Sequence, residues 1–121
     1  MQRKQLGTTG EDLVCTYLES TGVEILERNW KCRSGEADVI AREQEDLVFI
    51  EVKTRTSESA GFPEDAVTRQ KRRRYEKIAV EYLFTHDLPS ARVRFDVMAL
   101  LFSGNGKAFL RHHRDAFGVG D

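Results

Sequence analysis

Leu47-Val48-Phe49-Ile50-Glu51-Val52-Lys53 is the most informative stretch of the sequence. Its apolar residues are mostly β-branched or aromatic, which predicts a β-strand. Both faces of that strand begin apolar, as is typical of a strand buried inside a sheet. Because side chains alternate across a strand, Glu51 and Lys53 share one face. Burying an isolated charge is costly, so we expect both side chains to find partners at the end of this strand.

A second charged strand is predicted just upstream, over residues 35–41, with Glu36 and Asp38 on one face. The polar connection at residues 42–46 has the length of a hairpin loop. Antiparallel strands lie about 4.8 Å apart, so this hairpin would bring Asp38 or Glu36 beside Glu51 and Lys53. Hard oxygen ligands gathered in this way suit Mg²⁺. The competing interpretation is a Lys53–Asp38 salt bridge that closes the sheet, although buried pairs of this kind stabilise proteins poorly.

Size and composition favour one compact domain spanning residues 1–121. The formal net charge is −1, so any binding of nucleic acid must depend on local patches. Cys15 and Cys32 lack metal-ligand spacing, which favours free thiols in a reducing compartment. Neither a signal sequence nor a run long enough to span a membrane is visible, so we expect a cytoplasmic protein without a membrane partner.

The first predicted helix covers residues 6–21, with Val14 and Leu18 on its apolar stripe. Glu11 lies at the edge of that stripe. It could reach the carboxylate cluster as a further metal ligand or as a group that holds water. Alternatively, it is an acid near the helix start that is favoured by the helix dipole.

A second helix is predicted over residues 64–85, after a polar loop at residues 54–63. Its first half is strongly basic, which indicates either a solvated face or a patch that contacts phosphates. Because this helix directly follows the charged strand, we predict that it binds the backbone of DNA together with Arg55. The basic residues of the helix are Arg69, Lys71, Arg72, Arg73, Arg74 and Lys77.

The remaining elements complete an α-β-β-β-α-β-β order, which fits a sheet with helices packed on its faces. An edge strand is predicted over residues 23–30, a strand over 91–101, a hairpin turn at 103–106 and a last strand over 107–112. Asp96, beside Arg94, is interpreted as a paired structural acid. His112 and His113 point to opposite faces of a strand, so we interpret them as packing or surface residues.

These residues together resemble a known pattern. Gly35-Glu36-Ala37-Asp38-Val39-Ile40, followed by Glu51-Val52-Lys53, is similar to the motif of the PD-(D/E)XK nuclease superfamily. That resemblance implies a restriction-endonuclease-like αβββαβ core of the α/β class, with a mixed sheet flanked by helices and an extra C-terminal strand. Glu11 matches the first-helix acid of the archaeal Holliday-junction-resolvase branch. From Gly7 onward, the chain resembles the YraN-like family of bacterial proteins.

The resemblance also implies a chemistry for these positions. Asp38 and Glu51, with the Val52 carbonyl, would hold Mg²⁺ or Mn²⁺, and Lys53 would orient or deprotonate the attacking water. Glu36 would assist at the rim. Two departures are visible: Ala37 replaces the proline that many branches place before the motif aspartate, and Gln70 and Tyr75 are spaced one residue too far for a Gln-x-x-x-Tyr helix.

Two functions follow. The first is a divalent-metal-dependent nuclease that hydrolyses phosphodiester bonds in DNA, with branched or damaged DNA as the expected substrate. The second is a catalytically silent module that binds nucleic acid or a protein through the same surface. A nuclease of this size is expected to need a homodimer or another partner in order to grip a duplex.

Overall fold

The computed structural model describes residues 3–56 and 67–121, with side chains from residue 9 onward. Two helices and five strands follow one another in the predicted order. In chain order, the elements are α1 (Arg3–Ser20), β1 (Glu24–Cys32), β2 (Gly35–Glu43), β3 (Asp46–Thr56), α2 (Arg69–Thr85), β4 (Arg92–Phe102) and β5 (Ala108–Phe117). No helix in these two ranges is both long and apolar enough to cross a membrane.

The strands form one mixed sheet in the order β1-β2-β3-β4-β5. β1, β2 and β3 make an antiparallel meander, and β5 pairs antiparallel with β4. β3 and β4 are parallel because the chain crosses over between them through α2. The sequence prediction of a mixed sheet with helices and a further C-terminal strand is therefore confirmed.

Each face of the sheet has its own core, as the doubly apolar β3 predicts. Val48 and Ile50 pack with Val14 and Leu18 of α1 on one face. Leu47 and Phe49 face the other way, into a core that includes Tyr75, Ile78 and Tyr82 of α2. Burying both faces makes β3 the central element of the fold.

The helix bounds differ from the predicted ones at the N-terminal ends. α2 begins at Arg69, because Thr68 is extended and its hydroxyl accepts the Lys71 amide at 3.2 Å, as an N-cap does. Residues 64–66 of the predicted helix lie outside the described residues. α1 already begins at Arg3, so Glu11 is the ninth helical residue, and the explanation through the helix dipole does not apply.

A buried ion network lies on the α1 side of the sheet around Asp96, which is 1% exposed. Arg94 donates two hydrogen bonds to its carboxylate at 2.9 Å. His112 Nε2 lies 2.8 Å from Asp96 Oδ2, and the Asp115 amide donates to Oδ1 at 2.9 Å. Burial opposes ionisation of Asp96, but these hydrogen bonds outweigh it and lower the pKa. The interpretation of Asp96 as a paired structural acid is confirmed, and His112 is a packing residue.

We predict that Asp96→Ala destabilises the fold strongly, because it takes the main partner from the half-buried Arg94. Breaking a buried pair in this way costs about 3–5 kcal/mol, measurable as the free energy of unfolding in urea. Asp12→Ala is the matched control, since Asp12 pairs with Arg28 at 2.6 Å but its side chain is 59% exposed. The control should cost less than about 1 kcal/mol. Equal losses in the two variants would contradict the structural role of Asp96.

Candidate active site

The pairing of β2 with β3 brings Asp38 and Glu51 together, as the hairpin prediction requires. Val39 lies opposite Ile50 in the antiparallel register, and Asp38 and Glu51 are the next residues outward. Asp38 Oδ2 accepts a hydrogen bond from the Val52 amide at 2.8 Å, so it is fixed directly to β3. Asp38 and Glu51 are referred to below as the carboxylate pair.

Two side chains of α2 contact Glu51, which is 6% exposed. The Tyr75 hydroxyl donates a hydrogen bond to Glu51 Oε2 at 2.6 Å. Lys71 Nζ lies 2.5 Å from Oε1. Lys71 and Tyr75 are four residues apart and therefore on the same side of the helix. Each oxygen of the Glu51 carboxylate thus has its own partner from one helix.

The electrostatics of the carboxylate pair favour a cation. Burial raises the pKa of Asp38 to about 7, and the negative charge of Glu51 adds to the rise. The Val52 amide and Lys71 oppose it incompletely. Burial also raises the pKa of Tyr75, with the charges of Asp38 and Glu51 contributing. Tyr75 therefore stays neutral, and its hydroxyl donates a hydrogen bond to Glu51. A site that holds excess negative charge near neutral pH is expected to take up either a proton or a cation.

Glu11 is the third carboxylate near this point, and its charge contributes to the raised pKa of Asp38. Asn29 donates to Glu11 Oε1 at 2.8 Å, and Arg28 lies 4.0 Å from the same oxygen. Asn29 has a φ of 53° and lies across from Asp38, between the β1–β2 pairs of its two neighbours. This left-handed conformation, which is uncommon for a residue other than glycine, accompanies a side chain that reaches α1.

The close approach of α1 to β3 also depends on Gly10. A Cβ atom at this position would lie 2.8 Å from the Thr54 hydroxyl oxygen, closer than real Cβ contacts. Gly10 precedes Glu11, so the absence of a side chain there lets the helix bring Glu11 near the sheet.

The structure does not bring Glu36 to the carboxylate pair. Its side chain is 4.0 Å from Lys31 across the β1–β2 ladder and is exposed. The strict alternation that placed it with Asp38 breaks in β2: Ala37 packs in the α2-side core, whereas Val39 and Ala41 pack in the α1-side core. The alternation on which the grouping of Glu36 with Asp38 was based is therefore interrupted between Ala37 and Val39.

The other predicted site residues of β3 lie near the pair. Val52 and Lys53 are half-buried directly after Glu51, and Lys53 follows it at the strand period of two. Arg55 is exposed further along the same strand.

The six cations predicted to form one phosphate-binding helix separate into different environments. Lys71 contacts Glu51, and Arg72 is half-buried, with an Nε that has no hydrogen-bond partner among the described residues. The other four line a cleft of about 720 Å³ between α2 and the β1–β2 turn, and Arg33 joins them from that turn. This basic cleft is lined by Arg33, Ser34, Arg69, Gln70, Arg73, Arg74 and Lys77.

Sequence reasoning missed Tyr75, Asn29 and Arg33 as residues of this region. The Lys71–Tyr75 spacing of four residues was a signal that the two side chains share a helical face. Asn29 and Arg33 had no comparable signal, because their positions depend on how β1 and its turn meet the helices.

The donor set fits a small, hard divalent ion. No group of three or more His, Cys, Asp or Glu side chains is arranged for metal binding in the part of the chain that the structure describes. Mg²⁺, however, commonly uses one or two protein carboxylates and completes its shell with waters and substrate phosphates. The carboxylate pair offers two such carboxylates, and burial together with the negative charge of Glu51 raises the pKa of Asp38.

We predict a pH dependence of stability that depends on Asp38. The pKa of Asp38 is raised in the folded protein. Its contribution to the free energy of unfolding is therefore fully present below the ordinary pKa of 3.8 and is lost as pH rises through about 7. Asp38→Asn cannot ionise, so wild type should lose stability relative to the variant across this interval. Urea unfolding with a chelator at several pH values measures the difference. A difference that does not vary with pH would contradict the raised pKa.

Comparison with known proteins identifies relatives of nearly the same length. Residues 10–100 match the model described as "Uncharacterised protein family UPF0102". A UPF0102 protein of Rhodococcus opacus is 47% identical over 93% of this chain and 95% of its own. The UPF0102 protein of Beutenbergia cavernae is 45% identical over 95% of this chain and 95% of its own. That of Geobacter metallireducens is 47% identical over 86% of this chain and 85% of its own. In agreement with its YraN-like motifs, the chain belongs to the UPF0102 family.

Proposed function

We propose that this protein is a divalent-metal-dependent nuclease that hydrolyses phosphodiester bonds in DNA. The observation that carries the proposal is the carboxylate pair, in which Asp38 and Glu51 meet on adjacent strands and the pKa of Asp38 is raised to about 7. An acid with a perturbed pKa beside a second acid on the adjacent strand is more typical of a functional site than of a structural one.

Asp38 and Glu51, with the Val52 carbonyl, would hold Mg²⁺ or Mn²⁺. When bound, such an ion makes water more acidic and stabilises negative charge on a phosphate. The chain's own residues position these ligands: the Val52 amide holds Asp38, and the Tyr75 hydroxyl holds Glu51. Lys53 would orient the attacking water, accept its proton or stabilise charge on the phosphate. Glu11, held by Asn29, would bind water at the same site.

The basic cleft supports DNA as the substrate. It gathers five cationic side chains from two elements, so its local charge is strongly positive although the chain as a whole is −1. Such contacts position a phosphate backbone without reading its sequence. α2 lines the cleft and also contacts Glu51 through Lys71 and Tyr75, so a DNA strand in the cleft would pass close to the site. Branched or damaged DNA remains our preferred substrate, and a homodimer our preferred form for gripping a duplex.

The alternative function is a catalytically silent module for nucleic acid or protein. The observation that favours it is that both carboxylate oxygens of Glu51 already have a partner: Tyr75 contacts Oε2 and Lys71 contacts Oε1. Cleavage and DNA-binding assays on matched variants separate the two functions.

We predict cleavage of at least one form of DNA, with Mg²⁺ or Mn²⁺ and not with EDTA. Linear, nicked, flapped and four-way DNA should be incubated with wild type, Asp38→Asn, Glu51→Gln and Lys53→Met. Loss of a proton-transfer group typically slows a reaction about 10²–10⁴-fold. The cleavage rate of Lys53→Met should fall by that factor, and the rates of the two acid variants should fall at least as much. Glu45→Gln, in the exposed β2–β3 turn, is the control. Metal-independent or undiminished cleavage in the variants would point to a contaminating enzyme.

We predict that DNA binding depends on the basic cleft and on salt. Arg33→Gln combined with Arg73→Gln removes one cation from each wall of the cleft. Binding should weaken about equally for unrelated sequences, and the logarithmic salt slope should flatten by about 0.9 per lost phosphate contact. Gel shifts across salt concentrations measure both effects.

The control for this experiment is Arg42→Gln combined with Arg92→Gln. Both arginines are exposed and lie beside the β2–β3 turn, at the other end of the strands from Arg33. Their replacement removes the same amount of positive charge. Equal weakening in the two double variants would show that the cleft has no special role. If wild type retains no duplex, single-stranded or branched DNA even at low salt, DNA as the substrate must be abandoned.

A further inference from the structure

The contact between Lys71 and Glu51 separates Lys71 from the other basic residues of α2. Its ammonium lies 2.5 Å from Glu51 Oε1, and the Glu51 carboxylate is almost fully buried. The Lys71 side chain itself is 40% exposed, so it joins a buried acid to the protein surface. A buried carboxylate needs a compensating charge, and Lys71 supplies it.

We infer that Lys71 is a tethered counter-cation that pairs with Oε1 of Glu51 in the free protein and would release it when a divalent ion binds. This inference rests on the proposed metal site and concerns how that site exchanges its cation. It does not depend on whether the bound ion goes on to support hydrolysis.

The two partners of Glu51 differ in their ability to move. Tyr75 is 1% exposed and is packed in the α2-side core against Phe95 and Phe117, so its hydroxyl cannot leave Oε2 without disturbing that core. Lys71 is a partly exposed, flexible side chain on the surface of the helix. Oε1 is therefore the oxygen that can change its partner.

Charge balance gives the direction of the exchange. With Glu11 nearby, three carboxylates surround the site, and Lys71 offsets one of their charges. A divalent ion at Oε1 would supply two positive charges and would repel the ammonium over a short distance. Lys71 and the ion consequently compete for the same oxygen.

The displaced ammonium has a second place to bind. Gln70 and Arg74, which flank Lys71 on α2, line the basic cleft. A phosphate bound there would attract the released side chain. Metal and DNA would then favour each other, because each benefits from the state in which Lys71 has left Glu51.

Titration calorimetry with Mn²⁺, without DNA, tests the competition directly. Lys71→Gln should bind Mn²⁺ about tenfold more tightly than wild type, the fold-change expected for the loss of one charge-assisted hydrogen bond. Lys77→Gln is the matched control, because it removes the same charge from the same helix on the cleft side. Its affinity for Mn²⁺ should change much less. Equal or weaker binding by Lys71→Gln would overturn the inference, as would equal tightening in both variants.

A second measurement covers the case in which Lys71→Gln does not fold. In wild type, the ¹⁵N resonance of the Lys71 ammonium should shift during a Mg²⁺ titration with the same midpoint as metal binding. A resonance unchanged at saturation would show that Lys71 keeps its partner, and would also overturn the inference.

The outcomes distinguish this inference from the proposed function. Tightened Mn²⁺ binding in Lys71→Gln, together with an absence of cleavage on every DNA, supports the inference and contradicts the nuclease activity. Cleavage by wild type, together with unaltered Mn²⁺ affinity in Lys71→Gln, supports the nuclease activity and contradicts the inference. Asp38→Asn and Glu51→Gln should lose the binding heat. If neither wild type nor Lys71→Gln binds Mn²⁺, the inference fails together with the metal site.

Discussion

The burial of the Glu51 carboxylate is the constraint on which the rest of the structure depends. β3 is covered on both faces, so an ionised group near its end must find partners from whatever lies above it. Tyr75 and Lys71 meet this need, and their four-residue spacing fixes both the rotation and the height of α2 on the sheet. The same contact that satisfies Glu51 therefore also places the basic face of α2 along the cleft.

Asp96 and Asp38 show how the surroundings decide the role of a carboxylate. Asp96 receives hydrogen bonds from Arg94, His112 and a backbone amide, and its pKa is lowered despite burial. Asp38 is half-buried beside Glu51 and near Glu11, the Val52 amide donates to it, and its pKa is raised to about 7. The first arrangement is complete within the chain and stabilises the sheet. In the second, burial and a neighbouring carboxylate disfavour the ionised acid, as is expected of a site that binds a cation from solution.

The sequence predicted the strands and their order well, because alternation, turn residues and apolar runs are local signals. The proximity of Asp38 to Glu51 followed from hairpin pairing alone. Alternation failed between Ala37 and Val39, which pack in different cores, and the exposed Glu36 lies beside Lys31. The basic helix was predicted as one patch, since charge counting cannot tell Lys71, which turns toward a buried acid, from Arg73, which lines a cleft. Arg33 and Asn29 were not predictable, because their neighbours belong to elements distant in sequence.

α2 carries different functions on different sides. Lys71 and Tyr75 contact the carboxylate pair, whereas Arg69, Arg73 and Lys77, spaced four residues apart, face the cleft. Gly35, with a φ of 142°, lets the β1–β2 turn approach so closely that a Cβ there would lie 2.8 Å from the Arg74 side chain. The Ser34 amide donates to Glu81 at 2.9 Å and fixes the same turn on α2. The cleft and the carboxylate pair thus share one rigid helix, so a ligand that shifts this helix at the cleft must also alter the contacts of Glu51.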